Sequence, residues 1–318
     1  MINLEKDRYL LCRPEGGLND ILSEIGKSIA YGRRFNRVVI VQTNSQDHFH
    51  FNDEFGHYFT SRSDMVALEA DKLKLNFNAM SVRPDFLSGQ VNDYRRKKLH
   101  EVGHTQPLSF DFSKDYTEQL LVHHSSGQQK RRHALLALSN LTLTPNLAAE
   151  LDRRLRHFGG PYCAFHIRHT DYKTNYAARV RALVPHIHGR IFLATDNKAV
   201  VSFFEDVFGK VRLTTFSKLP DVHGKPLHHF TDQENAKSRN TDAILDLLML
   251  SLAEKYYFFP RESGDRKFFA PYSGFSSLAA RLSLAPDVLR LVLPQEFHHL
   301  INKPTVLQKL RNWRWRYF

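Results

Sequence analysis

The sequence has little cysteine and lacks the arrangements in which cysteine stabilises small or secreted domains. Only two of the 318 residues are cysteine, and both Cys12 and Cys163 lie in apolar, strand-like segments. This usage is typical of buried, reduced thiols and argues against a disulfide framework. The Cys–His spacing of a structural zinc site is also missing, so we expect no metal ion. We expect a cytoplasmic protein.

The signals of membrane insertion and of several enzyme classes are also missing. Residues 1–8 contain no apolar signal core, and no uninterrupted apolar run is long enough to span a bilayer. The signatures of serine hydrolases, zinc proteases and protein kinases are absent. The absence of a dinucleotide-binding fingerprint and of a phosphate-binding P-loop disfavours a nicotinamide cofactor and direct ATP hydrolysis. We therefore expect no cofactor.

Positive charge, in contrast, is abundant. The chain has 45 lysines and arginines against 33 acidic residues, which gives a formal net charge of +12. Such a surface attracts nucleic acid, anionic lipid headgroups or phosphorylated small molecules. A basic cluster at 153–156 has helical spacing and is predicted to be a solvated helix face. The basic, aromatic tail at 293–318 predicts a helix that either docks on an anionic membrane or packs back on the protein.

The N-terminal half opens with a β–turn–α–β pattern. An apolar strand at 8–12 precedes a turn with Gly16 and Gly17, and an amphipathic helix follows, with Asn19 as its predicted cap. A second apolar strand completes the opening order of a doubly wound α/β domain. Residues 44–112 are weakly periodic and are predicted to form loops and short elements. Adjacent histidines, such as those at 123–124, are predicted to lie on the surface or in loops.

The second half has a cleaner alternation of strands and helices. Its predicted strands lie at 162–167, 190–194, 210–215 and 255–259, and its predicted helices at 174–184, 198–207, 242–253 and from about 273. This alternation predicts two α/β domains in tandem, with a ligand cleft between them. We place the N-terminal domain at 1–158, the C-terminal domain at 159–292 and the helical tail at 293–318.

The strongest functional signal follows the predicted strand at 162–167. An apolar run ends there and a dense polar group begins, which consists of His166, Arg168, His169, Thr170 and Asp171. Ligands of open α/β sheets bind beyond the carboxyl ends of the strands. Arginine offers a fixed-charge fork that suits phosphate oxygens, and an aspartate accepts from a sugar hydroxyl or orients the arginine. The alternative is that His166 and Asp171 only stabilise the end of a strand.

Four further groups of residues have the chemistry of a nucleotide site. The glycines at 16 and 17 let the backbone approach a ligand beside a helix N-terminus, which favours anions. Asp196 follows a strand and would reach a ribose hydroxyl, or would cap the next helix. Asp242 and Asp246 lie on one face of an apolar helix, where a carboxylate needs a partner. Ser276 and Ser277 place hydroxyl groups near another helix start.

The order of these motifs resembles the fucosyltransferase superfamily, which includes the bacterial α1,2-fucosyltransferases and the α1,6-fucosyltransferases of nodulation and N-glycan cores. The resemblance covers roughly 10–42 and 160–285 and leaves 44–150 unmatched. It implies an α/β fold of the GT-B type, in which two Rossmann-like domains face a central cleft. It also implies metal-independent, inverting transfer of a sugar, with GDP-fucose as the expected donor substrate and a glycan or polysaccharide hydroxyl as the acceptor.

The same resemblance implies roles for the candidate residues. Arg168 would grip the donor diphosphate and stabilise the leaving GDP, and His166 and Asp171 would shape the same pocket. Asp196 or Asp246 would contact guanine or ribose. The remaining donor-side residues would be Ser276 and Ser277 near the phosphates, with Gly16 and Gly17 closing the cleft from the N-terminal domain.

No motif identifies the group that removes the proton from the acceptor hydroxyl. A hydroxyl group that attacks a sugar can require a general base, and Asp20 and Glu24 in the N-terminal half are the candidates, with Asp20 taken as the catalytic residue. Three alternatives to GDP-fucose transfer stay open. They are transfer from a different nucleotide sugar, nucleic-acid binding through the basic surface, and binding of a sugar or nucleotide by an inactive relative. We expect no nucleic-acid partner, and a location in the cytoplasm or peripherally at the inner face of the membrane.

Overall fold

The chain folds into two compact units, each built on a parallel sheet. The computed structural model describes residues 8–44, 51–68, 74–95, 99, 103, 108–126, 132–170, 173–217, 219, 236–262 and 272–301. One unit comprises Met1–Thr144 with Phe230–Lys237, and the other comprises Pro145–His229 with Ser238–Phe318. The units therefore divide before the helix at 145–158, whereas the predicted boundary follows it.

The first unit contains a five-stranded parallel sheet and a separate antiparallel pair. Its strands are β1 (Arg8–Glu15), β2 (Arg37–Val41), β3 (Phe59–Ser61), β4 (Val66–Ala67), β5 (Val82–Arg83), β6 (Leu120–Ser126) and β7 (Leu141–Leu143). The sheet has the order β4-β2-β1-β6-β5, and β3 pairs with β7. Its helices are α1 (Leu18–Phe35) and α2 (Arg132–Leu138), with short 3₁₀ turns at Phe55–His57, Phe77–Ala79 and Asp85–Leu87.

Alternation along the central strands explains how this sheet is buried. Tyr9 and Leu11 of β1 point into one apolar cluster together with Leu120 and Val122 of β6. The register of the parallel pair brings Leu11 opposite Val122. Because successive side chains of a strand point to opposite faces, this cluster occupies one side of the sheet. Helix α1 packs closely on α2, with the backbone of α2 adjacent to Gly26.

The second unit contains a four-stranded parallel sheet of order β10-β9-β8-β11. Its elements are α3 (Pro145–Phe158), β8 (Cys163–Ile167), α4 (Tyr176–Leu183), β9 (Ile191–Thr195), α5 (Lys198–Phe208), β10 (Leu213–Thr214), α6 (Ala236–Leu252), β11 (Lys255–Phe258), α7 (Gly274–Leu282) and α8 (Pro286–Val292). Short 3₁₀ segments lie at Val184–His186 and Gln295–Leu300. Every residue of β9 is buried, which is typical of a parallel strand covered on both faces.

Several local predictions are wrong. Gly17 caps α1 through its backbone, and Asn19 instead lies inside the helix. His123 and His124 are buried on β6 rather than exposed in a loop. Arg154 is buried too, although the basic run around it was predicted to be solvated. His123, His124 and Arg154 each pair with an acidic residue of another element. The backbone of Gly17 supplies the cap that was expected from Asn19.

The prediction of two buried thiols is confirmed, whereas most of the predicted C-terminal helix lies outside the described residues. Cys12 and Cys163 are buried free cysteines, as predicted. Burial raises the pKa of the Cys12 thiol to about 12, so this group is not a nucleophile at neutral pH. The tail is described only to Ile301, with a 3₁₀ turn at Gln295–Leu300, and the rest of the predicted helix lies outside the described residues. In the described part of the chain, no helix combines the length and apolarity needed to cross a bilayer.

Candidate active site

The polar segment that begins at His166 leaves the second sheet at the carboxyl end of β8. The strand order places β9 and β10 on one side of β8 and β11 on the other. The strand order therefore reverses at β8 while all four strands stay parallel. Open α/β sheets bind their ligands at the carboxyl edge of such a switch point. Arg168 lies in the loop directly after the strand, with its side chain about a quarter exposed, at 23%.

Asp196 follows β9 and holds the loop that contains Arg168. Its Oδ1 atom accepts a hydrogen bond from the backbone N–H of His169 at 2.7 Å, and its Oδ2 atom accepts one from the hydroxyl of Thr170 at 2.7 Å. The same Oδ2 atom lies 3.9 Å from Nε of Arg168. Asp196 thereby holds the loop next to the guanidinium group, a role that was predicted for Asp171.

The alternative that Asp196 caps the next helix is wrong, because Asn197 caps α5. The contact of Asp196 with guanine or ribose stays a prediction.

His166 connects β8 to the beginning of α7. Its Nδ1 atom lies 2.5 Å from Oγ of Ser276. Ser273 caps the helix, because its hydroxyl accepts from the backbone N–H of Ser276 at 3.1 Å. Burial, together with the nearby charge of Arg168, lowers the pKa of His166 to about 3. The ring is therefore neutral at physiological pH, and the fixed positive charge beside it is that of the arginine.

The beginning of α7 adds a second feature that favours anions. The first backbone N–H groups of a helix carry partial positive charge. In α7 one of them, that of Ser277, already bonds to the carbonyl of Ser273 at 3.0 Å, and the Ser277 side chain is half-buried. Ser276 is buried against His166, so it positions the helix start. The helix N-terminus is thus joined to β8 through His166 and two serines, and the charge of Arg168 lies near the same histidine.

A backbone bridge fixes the chain beyond this loop. Thr174 and Arg261 form an isolated antiparallel bridge, and the N–H of Glu262 donates to the carbonyl of Lys173 at 2.9 Å. The segment after β8 is therefore tied to the segment after β11. Asp171, which was predicted to shape the donor pocket, lies outside the described residues.

Asp246 has a different environment from the other predicted donor residues. Its Oδ1 atom lies 3.4 Å from Nη1 of Arg154, and its Oδ2 atom accepts from the Ser217 hydroxyl at 2.8 Å. Arg154 also pairs with Asp242 and, at 3.0 Å, with Glu150. The partner that the apolar helix required is thus an arginine of α3. A contact between Asp246 and guanine or ribose stays a prediction.

We expect this cluster to make stability depend on pH. Burial, and then the nearby charge of Asp242, raise the pKa of Asp246 to about 7, while the Ser217 hydroxyl and Arg154 oppose the shift. A folded-state pKa above the unfolded value contributes stability below the unfolded pKa, and this contribution is lost as the pH rises through the folded pKa. Relative to Asp246→Asn, the wild type should lose up to about 4 kcal/mol of unfolding free energy between about pH 4 and pH 7.

The measurement is chemical denaturation of both proteins at pH 4.5 and at pH 7.5. A stability difference between them that is the same at both pH values would show that Asp246 is already ionised in the folded protein at the lower pH.

The predicted residues of the first unit lie where β1 meets α1. Gly16 has a φ of +104°, a conformation that favours glycine, and the carboxylate of Asp20 lies close to it. Glu24 is fully buried, and its Oε2 atom contacts Nε2 of His123. An acceptor hydroxyl therefore has no access to Glu24. The expected parts of Gly16, Gly17 and Asp20 in closing the cleft or in catalysis stay predictions.

Metal binding was not expected on sequence grounds. Within the described ranges, no three His, Cys, Asp or Glu side chains converge as ligands of an ion would. Independence of a metal stays a prediction.

Comparison with known proteins identifies the fold. No protein-family model and no curated protein sequence matches the chain. Among solved structures, fucosyltransferase NodZ from Bradyrhizobium matches with a TM-score of 0.57 and 16% identity, over 88% of this chain and 94% of that one. A structure of NodZ alpha-1,6-fucosyltransferase soaked with GDP-fucose has a TM-score of 0.60 at the same identity and coverage. POFUT1 in complex with GDP-fucose matches with a TM-score of 0.51 and 10% identity, over 86% and 94% of the two chains.

These matches define the class of fold. The chain is an α/β protein of the GT-B type, and the predicted fold class is confirmed. More particularly, its fold is that of the fucosyltransferases, which is the resemblance predicted from the order of the motifs.

Proposed function

We propose that the chain is an inverting glycosyltransferase that moves L-fucose from GDP-fucose to a hydroxyl group of a glycan or polysaccharide. The observation that carries this proposal is the arrangement after β8, where Asp196 orients Arg168 next to the His166–Ser276 connection. The fold supports the same reading, because the similar NodZ and POFUT1 structures were determined with GDP-fucose. The other predicted donor residues keep the roles that the resemblance implies.

The chemistry of sugar transfer explains why an arginine belongs at this position. When the bond between the sugar C1 atom and the β-phosphate oxygen breaks, negative charge builds on the leaving nucleoside diphosphate. A preorganised cation that interacts with this charge stabilises the transition state more than the ground state. Arg168 supplies a charge that does not depend on pH, and its planar fork matches two phosphate oxygens. The helix start of α7 adds partial positive charge.

His166 contributes by staying neutral. With a pKa lowered to about 3, it holds Ser276 without adding a second full charge or competing for the phosphate oxygens. The donor would then be bound by one guanidinium and by neutral donors. We propose that catalysis needs no metal ion, because the charge on the diphosphate is met by these groups.

The experiment is a transfer assay with purified protein. GDP-fucose, GDP-mannose, UDP-glucose and UDP-galactose are each incubated with neutral oligosaccharides of glucose, galactose and N-acetylglucosamine, with EDTA present, and release of the nucleoside diphosphate is measured. We expect turnover with GDP-fucose and retention of that turnover in EDTA. Turnover only with another nucleotide sugar would replace fucose as the transferred sugar.

The rival function is nucleic-acid binding through the net charge of +12. It predicts no release of nucleoside diphosphate from any donor, together with tight binding to generic DNA that weakens steeply with salt. That pair of results would overturn the proposal.

A peripheral membrane location stays a prediction, since residues 302–318 lie outside the described residues.

A further inference from the structure

A serine, a histidine and a glutamate form one hydrogen-bonded chain inside the first unit. Oγ of Ser109 lies 2.7 Å from Nδ1 of His123, and Nε2 of the same ring contacts Oε2 of Glu24. Ser109 precedes β6, His123 lies within β6 and Glu24 lies within α1, so three separate segments supply the chain. A hydroxyl that bonds to a histidine, which is itself held by a carboxylate, is the arrangement that activates a serine as a nucleophile.

Burial decreases along this chain towards the serine. The Glu24 side chain is fully enclosed and the His123 side chain is 2% exposed, whereas Ser109 is only half-buried. Solvent and small molecules therefore reach the chain at the serine. The imidazole and the carboxylate are shielded from water, which strengthens the electrostatic interaction between them.

The protonation of the ring suits a general base. Burial lowers the pKa of His123, although Glu24 opposes the shift, so the imidazole is neutral at neutral pH. A carboxylate only accepts hydrogen bonds, so the single ring proton lies on Nε2, next to Glu24. Nδ1 then carries a lone pair and accepts from the Ser109 hydroxyl. This is the tautomer in which the ring can take the serine proton.

Apolar rings and one cation surround the chain. The ring centre of Phe112 lies 4.9 Å from that of His123, and Phe110 stacks on Phe112 at 4.4 Å, with both phenylalanines half-buried. Nζ of Lys27 lies 3.9 Å from the centre of the Phe112 ring and 4.0 Å from Oε2 of Glu24. These surroundings suit a substrate with an apolar part and with an oxygen on which negative charge develops during reaction.

We propose that Ser109, His123 and Glu24 form a second catalytic centre, which hydrolyses small esters that carry an apolar acyl or aryl group. Ser109 is the nucleophile, His123 is the general base, and Glu24 is a positioning residue that holds the ring. All three residues belong to the first unit. This activity goes beyond the proposed sugar transfer, and neither activity requires the other.

The reaction balances as an ester hydrolysis. Oγ of Ser109 forms a bond to the carbonyl carbon while its proton moves to Nδ1 of His123. The bond between that carbon and the alcohol oxygen breaks, and the alcohol leaves with the proton from Nδ1. A water molecule from solvent then attacks the acyl-serine by the same proton path and releases the carboxylic acid. Nothing is oxidised or reduced.

A fluorophosphonate tests the nucleophile directly, because it phosphonylates an activated serine with loss of fluoride. The labelled residues of the full chain are identified by peptide mass spectrometry. We expect Ser109 to react at least about 100-fold faster than Ser81, an exposed serine of the same unit whose hydroxyl accepts from the backbone N–H of Gln119. Equal labelling rates at Ser109 and Ser81 would overturn the inference.

Hydrolysis of 4-nitrophenyl acetate measures turnover at the same centre. Ser109→Ala should reduce the rate to that of buffer, whereas the matched control Ser81→Ala should keep the wild-type rate. Ser109→Ala leaves the buried His123–Glu24 pair in place, so this comparison does not depend on a change in the core. Hydrolysis by Ser109→Ala at the wild-type rate would contradict the proposal.

The pH dependence of labelling separates catalysis from a structural role of Glu24. Because the His123 ring is already neutral, the rate of Ser109 labelling should change less than about twofold between pH 7 and pH 8.5. In Glu24→Gln the carboxamide can donate to Nε2 and place the ring proton on Nδ1. Labelling should then be slower by about 100-fold and rise about tenfold per pH unit, as for an unassisted hydroxyl. A folded Glu24→Gln with the wild-type rate and pH profile would overturn the inference.

Discussion

Replacement of Arg168 by alanine should lower kcat/KM for sugar transfer by at least about 100-fold. The guanidinium is oriented by Asp196, whose Oδ2 atom lies 3.9 Å from Nε, at the carboxyl edge of the second sheet. Hydrogen bonds to charged groups contribute about 1.5–3 kcal/mol each, and two such bonds from one fork correspond to a factor of about 100 in rate or more. The loss should fall mainly on kcat, because the charge on the leaving group is largest in the transition state.

Arg168→Lys should recover little of this activity. Lysine supplies a point charge on a flexible stem, and it cannot contact two phosphate oxygens with fixed geometry. The comparison distinguishes a bidentate contact from a general requirement for positive charge.

The control for these variants is Arg290→Ala. Arg290 lies in the same unit and forms an exposed ion pair with Asp287 at 2.9 Å. Pairs of this kind contribute about 0–1 kcal/mol, so activity and melting temperature should stay close to wild type. Arg168→Ala should also melt at the wild-type temperature, and turnover within fivefold of wild type in that variant would remove Arg168 from the mechanism.

Replacement of Gly26 by alanine should destabilise the first unit by about 3 kcal/mol. A Cβ atom at this position would lie 1.8 Å from the carbonyl oxygen of His133 and 3.1 Å from the backbone nitrogen of Ala137. Both contacts are with the backbone of α2, which cannot rotate away as a side chain does. The two helices must therefore separate, and α1 would lose its close packing beside the central strands.

The effect of Gly26→Ala is measured by chemical denaturation and compared with Arg34→Ala. Arg34 is an exposed residue of the same helix, and its removal should change the unfolding free energy by less than about 0.5 kcal/mol. If Gly26→Ala has the stability of the wild type, the backbone of α2 does not lie against Gly26 of α1.

The alternation of elements in the second unit could be predicted because its strands and helices have strong apolar patterns. Strand β9 is buried along its whole length, and the hydrophobic run that specifies it ends at the polar Asp196. The cap of α7 at Ser273 follows equally from local chemistry, since a serine side chain satisfies a free N–H group of the first turn. Local sequence is sufficient for such features.

Part of the candidate site could also be predicted from the local sequence. A polar group after a parallel strand identifies a sheet edge, and this placed Arg168 and His166 correctly at the end of β8. The hydrogen bonds between Asp196 and the 169–170 loop could not be predicted, because they join residues 26 and 27 positions apart. Their formation depends on the pairing of β8 with β9.

The ionisable group of the first unit was missed for a related reason. Two adjacent histidines at 123–124 were predicted to lie on the surface or in loops, since neighbours in a regular element do not face one ligand. The partners are Glu24 and Glu15, which lie about a hundred residues earlier and on opposite faces of the sheet. The signal that was available is the alternation of Arg13 and Glu15 at the end of a strand whose earlier residues on that face are apolar.

A crystal structure of the protein with bound GDP tests the central claim most directly. The proposed site predicts that a diphosphate oxygen lies within about 3 Å of the Arg168 guanidinium, close to the beginning of α7. GDP bound elsewhere in the protein, with the Arg168 side chain still directed only towards Asp196, would contradict the assignment of the donor site.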